Sequence, residues 1–403
     1  MLDTPSAIDP AAVSRTLSAR HRRLYPYFFI AGYIVITLFW VVRSSAMIDP
    51  TGQVLGADFT TFWSASHLTL EGTPEAAYQP DQILAASRIA VPANQSEFIW
   101  SYPPIFQLFV APLALMPYWL AWIVWCAVGL AAFAAVLKQL APAPYALWLT
   151  FAFPGVYLNI VQGQNGLFVA ALFGGALLFL DRRPVLAGVL IGLLTFKPTL
   201  GLLLPLALLC ARRWTAFIAA AATTVALVGL SIFAFGTQAW IGFFENMGFA
   251  SAVLEAGDLP WQKMPSLFIA LRMIGVESAI AYAGHLLGAA IAAGAVAWAW
   301  WNGRLSLALA SAILVSASLM VSPHLNDHDL ALLAIPLALL VADSTRQPWS
   351  GREQIALGLV WIAPLIATPI AGVTHLQVGF VAIATTLVIA TLRARRSLAH
   401  IPT

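Results

Sequence analysis

The sequence is poor in charge. Only 9% of its 403 residues are Asp, Glu, Lys or Arg, against roughly 25% in a soluble chain. So little charge cannot clothe a soluble domain, and a mean hydropathy of +0.84 excludes one. A net charge of +3 is too small to suggest a nucleic-acid partner. Cysteine is scarce too: Cys126 and Cys210 both fall inside apolar runs, so no disulfide framework is expected. Internal repeats and low-complexity tracts are absent. What the chain has instead is apolar stretches of near-spanning length from end to end. In hydrocarbon such stretches must be helices, because every backbone polar group needs an internal partner. The expected fold class is an all-α polytopic membrane protein.

Twelve spans are expected, at about 25–43, 112–138, 143–161, 164–181, 184–197, 198–211, 214–236, 278–300, 305–321, 329–342, 354–371 and 377–392. The first reads as an uncleaved signal anchor, since its apolar run is too long for a signal peptide and Arg43 interrupts its exit. With the N-terminus in the cytoplasm, fifteen of the twenty Lys and Arg fall inside. Only Arg43, Arg88, Lys197, Lys263 and Arg272 stay outside, the bias that the positive-inside rule expects. Both termini are then cytoplasmic, in a multi-pass protein of the cell inner membrane. Residues 1–24 form a cytoplasmic tail, and 25–403 a single transmembrane domain with outer loops at about 44–103 and 237–277. Stretches 59–70 and 81–90 of the first loop read as amphipathic helices lying on the membrane surface. Pro112 and Pro117 break the element that enters the second span.

Polar groups near hydrocarbon are costly and mark function by default. Asp58, in LGADFTTFWSAS, reads either as the cap of a helix starting at Phe59 or as a base in an external cavity. Lys197-Pro198 divides an apolar stretch into halves of about 14 residues, or about 21 Å each. Both are short of the ~30 Å hydrocarbon core, which implies a water-filled recess with a cation at its tip. A snorkelling lysine at a tight turn is the alternative. QGQNG, 162–166, is a tight turn, with Gln162 and Gln164 left over as partners for sugar hydroxyls. In SPHLNDHDLALL, His324, Asp327, His328 and Asp329 cluster at a helix boundary. Metal binding, phosphate or sugar contact, and simple capping all fit that cluster. Tyr102 and the prolines of FIWSYPP make a rigid re-entry, or an aromatic belt. Lys263 and Arg272 need not share a target. An external carboxylate with external cations suggests transfer chemistry on a phosphorylated, lipid-linked substrate.

The segments GADFTTFW, SYPPIFQLFVAPLALMPYWLAW, GQNGLFVAALFGGALLFLDRRPVLAGVLIGLLTFKPTLGLLLPLALLCARRW, MPSLFIALRMIGV and SPHLNDHDLALL together resemble family-87 glycosyltransferases. These are membrane enzymes of the GT-C superfamily, related in fold to polyprenyl-phosphate-mannose-dependent mannosyltransferases. The resemblance runs from about residue 25 to 345. It implies a GT-C fold of about 12 transmembrane helices with amphipathic outer-loop helices. It also implies a polyprenyl-phosphate sugar donor, with mannose as the sugar, and inversion at the anomeric carbon. Asp58 matches the superfamily's catalytic carboxylate, Lys197 the KP lysine and Gln164 the glutamine of the GQN turn. The segment His324–Asp329 matches one bordering the active site, but it carries His328-Asp329 where many relatives have Tyr-Asp. The functional histidine is therefore left open between His324 and His328.

On that resemblance Asp58 is the general base. Lys197, Arg272 and His324 hold the donor phosphate, and Gln164, Asn165, Tyr102, His328 and Asp329 face sugar or acceptor. No metal or other cofactor is expected, because a monophosphate donor needs no diphosphate clamp. The expected partners are the polyprenyl-phosphate sugar lipid, the bilayer, and a glycolipid or polysaccharide acceptor, with the protein a monomer. Two other classes fit the same composition: a transporter or lipid flippase, and a polymer ligase using a diphosphate-linked donor. The polar groups gathered on one face and the lack of a repeat speak against the first. The few external arginines speak against the second.

Overall fold

The computed structural model describes residues 10–96, 99–141 and 145–399. The first nine residues of the expected tail, and Phe98 of FIWSYPP, lie outside the described residues. Among the described residues eighteen α-helices follow one another, joined by turns and short 3-10 segments. They begin with α1 (Pro10–Arg43), α2 (Ala57–Leu70), α3 (Pro80–Ala90), α4 (Pro104–Val110), α5 (Tyr118–Leu140) and α6 (Tyr145–Thr150). Next come α7 (Pro154–Gln162), α8 (Gly166–Phe179), α9 (Pro184–Leu193), α10 (Pro198–Gly201), α11 (Leu204–Cys210) and α12 (Trp214–Ala256). The last are α13 (Leu267–Met273), α14 (Ser278–Trp301), α15 (Leu307–Val321), α16 (Ala334–Asp343), α17 (Gly351–Thr374) and α18 (Val378–Ala399).

Prolines set much of this punctuation. Helices α3, α4, α7, α9 and α10 each begin on one, where the ring fixes φ and the missing N–H would have had no partner. The chain is thereby cut into helices shorter than the apolar stretches that contain them. Each of the twelve expected spans is helical along most of its length. Among the described residues, however, only six single helices are long and apolar enough to cross a membrane: Leu24–Arg43, Tyr118–Leu140, Trp214–Ala256, Ser278–Trp301, Gly351–Thr374 and Val378–Ala399. Five shorter apolar helical stretches stand beside them, among them Pro184–Phe196 and Pro198–Cys210 on either side of Lys197.

The centre of the bundle is α15, the 3-10 segment Asp327–Leu333 and α16. Every residue from Leu309 to Leu319, and from Asp327 to Val341, is buried. A helix that is apolar all round has to sit inside. By contrast α1 exposes Phe28, Val35, Phe39 and Val42, a surface that only lipid can cover favourably. Small residues set the tightest pairing. A Cβ added at Gly188 would lie 2.4 Å from the Ala216 carbonyl oxygen, and one at Gly192 2.4 Å from Thr223 Cβ. That Gly-x-x-x-Gly stripe on α9 lets α12 approach at backbone distance. Helix α12 kinks at Gly236, whose φ of 74° and ψ of 174° are not helical, where the seventh expected span ends.

The first long connection departs from expectation. α3 is amphipathic, with Ile83 and Ala86 buried and Asp81 and Ile89 exposed. α2 is not a surface helix: all residues from Phe59 to Ser66 are buried. Its hydroxyls do not need water, because Ser64 donates to the Thr60 carbonyl and Ser66 to the Ala111 carbonyl. A stretch that reads half-polar is thereby made fit for the core.

Candidate active site

Asp58 is the second residue of α2. It does not cap the helix: Gly56 does, in the left-handed conformation at φ 71°. Tyr118 Oη lies within hydrogen-bond distance of the carbonyls of Leu55 and Gly56, and so anchors the chain just before the helix. The QGQNG turn reaches Asp58 through a close approach. Gly163 closes α7 with φ 68°, and a Cβ there would lie 2.4 Å from Phe59 Cβ and 3.0 Å from the Trp122 ring. Only glycine gives both that backbone and that contact. The result is that Gln164 Nε2 donates to Asp58 Oδ2 at 2.9 Å. Gln164 Oε1 in turn accepts from Tyr102 Oη at 3.3 Å and from the Asn165 N–H at 3.1 Å. The amide is therefore oriented with its NH2 toward the carboxylate. Burial pushes the Tyr102 phenol far above its ordinary pKa, so it stays a neutral donor.

Lys197 follows Phe196, whose ring stacks on Phe106 at 4.9 Å in the aromatic cluster beneath the site. The lysine Nζ pairs with Asp329 and donates to Asn165 Oδ1 at 3.4 Å. Asp329 also accepts the Asn326 N–H at 3.1 Å, closing a capping box on the 3-10 segment. Between the carboxylates sits His328. Its Nδ1 is 3.9 Å from Asp58 and from Asp327, and its Nε2 is 3.8 Å from Asp329. Burial, and secondarily the Lys197 ammonium, push the His328 pKa below its ordinary value against the pull of the carboxylates. It is neutral at pH 7. The Asn159 side chain donates to the His328 carbonyl at 2.7 Å and ties the segment to α7. A Cβ on Gly166 would lie 2.5 Å from Asn159 Oδ1 and 2.8 Å from that carbonyl, so glycine makes room for this contact.

The structure thus joins Asp58, Tyr102, Gln164, Asn165, Lys197, His328 and Asp329 in one network. The cluster holds three carboxylates and one ammonium around a neutral imidazole. Only Asp58 is substantially open, with 34% of its side chain exposed against 13% for Lys197, 6% for His328 and 1% for Asp329. The other two expected cations lie apart. His324 is half-buried beside His285. Arg272 donates to the carbonyls of Val276 and Glu255 and stacks over Trp261 at 5.2 Å. Neither contacts this network among the described residues. Two members were not foreseen. Thr368, on α17, donates to Asp327 Oδ2 at 3.2 Å, opposite Gln162, which donates to Oδ1 at 3.3 Å. A threonine in a 24-residue apolar helix carries no sequence signal of such a role. Asn159, a buried amide in an apolar segment, did carry one.

Among the described residues no group of three or more His, Cys, Asp or Glu is arranged to hold a metal ion. The model of glycosyltransferase family 87 matches residues 100–323, more than half of the chain. No curated protein and no solved structure matches it. Tyr102, Gln164, Asn165 and Lys197 fall inside the matched region, whereas Asp58, His328 and Asp329 fall outside it. The network stitches the two together.

Proposed function

This chain belongs to glycosyltransferase family 87, and on that premise we propose that it moves mannose from a polyprenyl-phosphate donor to an acceptor hydroxyl, with inversion, at the periplasmic face of an inner membrane. That it is a membrane glycosyltransferase follows from the family and from its six apolar helices. Donor, sugar, face and base are our reading. Family membership also favours an enzyme over a transporter or flippase.

The observation that carries the reading is the asymmetry of the site. One carboxylate, Asp58, is open and held by a fixed amide, while Asp327, His328 and Asp329 are buried and Lys197 keeps only 13% of its side chain exposed. In this mechanism Asp58 takes the proton of the acceptor hydroxyl as its oxygen bonds to the anomeric carbon. The bond from that carbon to the phosphate oxygen breaks, and polyprenyl phosphate leaves as an anion. An ammonium has three N–H donors. Two of those on Lys197 meet Asp329 and Asn165, and the third is assigned to the leaving phosphate oxygen. The surplus of negative charge suits the positive character that grows at the anomeric carbon in an oxocarbenium-like transition state. Because His324 and Arg272 lie apart from this network, neither is given a part in the transfer step.

The test uses purified protein in nanodiscs with polyprenyl-phosphate mannose, labelled in the sugar, and a total membrane lipid extract. Label should pass to a new glycoconjugate with inverted anomeric configuration. Retention of configuration, or label that stays on the donor, refutes the proposal.

A further inference from the structure

A polar cavity is linked to the Asp58 network by hydrogen bonds. It has a volume of about 490 Å³ and runs between the 3-10 turn Pro74–Tyr78 and the part of α12 beyond the Gly236 kink. That size falls in the roughly 300–1,000 Å³ range of small-molecule sites. Its walls carry two carboxylates, Glu75 and Glu245, three amides, Gln79, Gln238 and Asn246, and the Tyr78 ring. Among the described residues no Lys or Arg lines it. Asn246 is only 8% exposed and donates through Nδ2 to the Trp100 carbonyl at 2.6 Å. A chain of hydrogen bonds links the cavity to the Asp58 network: Tyr78 Oη donates to the Tyr102 carbonyl at 2.8 Å, while the hydroxyl of the same Tyr102 holds Gln164.

We propose that this cavity is a saccharide subsite, binding an uncharged sugar of the acceptor remote from its reacting hydroxyl. The chemistry selects the class. Carboxylates and amide oxygens accept hydrogen bonds from hydroxyls, amide nitrogens return them, and an aromatic ring packs on the apolar face of a pyranose. Two carboxylates without a cation repel phosphate, so the donor's phosphate belongs at Lys197 and the neutral partner here. The Asn246–Trp100 and Tyr78–Tyr102 hydrogen bonds couple the cavity lining to the segment whose Tyr102 hydroxyl holds Gln164 against Asp58. Binding energy gathered there can be used to align the reacting hydroxyl. The inference rests on the transfer reading for its purpose, but the binding site can be tested without transfer.

Gln79 and Glu245 are both exposed, so replacing them leaves the core intact. Mannobiose is the probe, followed by saturation-transfer NMR on protein in nanodiscs, with mannose 6-phosphate as the anionic comparison. Mannobiose should bind the parent and Asp58→Asn alike. The double variant Gln79→Ala/Glu245→Ala should bind it roughly tenfold more weakly, as for removal of a hydrogen bond to a charged group. Mannose 6-phosphate should show no binding that depends on those two residues. Absence of binding by the parent, equal mannobiose binding by the double variant, or cavity-dependent binding of the phosphosugar overturns the proposal. Pocket-dependent mannobiose binding in a protein that never turns over donor would instead leave the subsite standing and sink the transfer reading.

Discussion

Lys197 is assigned two tasks, and they can be separated. It neutralises Asp329, whose side chain is 1% exposed, and in the proposed mechanism its remaining N–H serves the donor phosphate. Lys197→Met keeps the length and removes the charge. Removing one partner of a buried ion pair costs about 3–5 kcal/mol, because the other charge stays buried and uncompensated. For Asp329 the remaining support is the Asn326 N–H and a neutral His328 at 3.8 Å, which does not replace an ammonium. The single variant should therefore unfold at a clearly lower temperature in nanodiscs and lose about 10²–10³ in transfer rate. Adding Asp329→Asn removes the stranded charge while leaving an oxygen for the capping box. The double variant should regain most of the lost stability and none of the lost rate. Two results would refute this reasoning. One is a Lys197→Met protein as stable as the parent, which would mean that the pair does not carry the segment. The other is a double variant that transfers sugar at the parent rate, which would make Lys197 a structural partner alone.

Two further expectations follow from the same geometry. Gly163→Ala meets a left-handed backbone and a Cβ contact of 2.4 Å with Phe59, so it should destabilise by about 2–5 kcal/mol, conformational cost and overpacking together. Gly52→Ala, also at positive φ but with open space around it, should show only the conformational part; equal losses in thermal unfolding would remove the close approach from the account. His328 is neutral in the fold because burial lowers its pKa from 6.5. The unfolded chain then gains a proton that the native state does not, and the stability present above pH 6.5 is lost as pH falls toward the native-state value, by at most about 1.4 kcal/mol per pH unit. Between pH 7.5 and 5.5, His328→Gln should lose less stability than the parent; identical pH slopes would show that the imidazole is not held neutral.

Much of the helical framework is legible in the sequence, because a bilayer permits few alternatives. Apolar stretches predict where helices run; Pro117 breaks the chain just before α5, and the seventh expected span ends where α12 kinks. The number of crossings is less legible, since an apolar stretch does not say whether a proline will cut it into shorter helices. α2 misleads for a different reason: Thr60, Ser64 and Ser66 read as a wet face, yet their hydroxyls are satisfied inside the protein. At the site, the residue types that cost most to bury, Asp58, Lys197, His328 and Asp329, announced themselves. Their pairing did not. That Lys197 meets Asp329, and that His328 rather than His324 sits among the carboxylates, depends on contacts across more than a hundred residues of chain. Arg272 shows the converse: an exposed-looking cation whose two terminal nitrogens are taken up by the Val276 and Glu255 carbonyls.

In the proposed mechanism Asp58 accepts the proton of the acceptor hydroxyl. Asp58→Asn keeps the shape of the side chain and an oxygen for Gln164, and removes the base. Its most direct test is the single-turnover rate of sugar transfer from polyprenyl-phosphate mannose, measured with donor pre-bound to parent and variant. Donor binding should be equal, and the rate lower by about 10²–10⁴. Transfer by Asp58→Asn at the parent rate would contradict it.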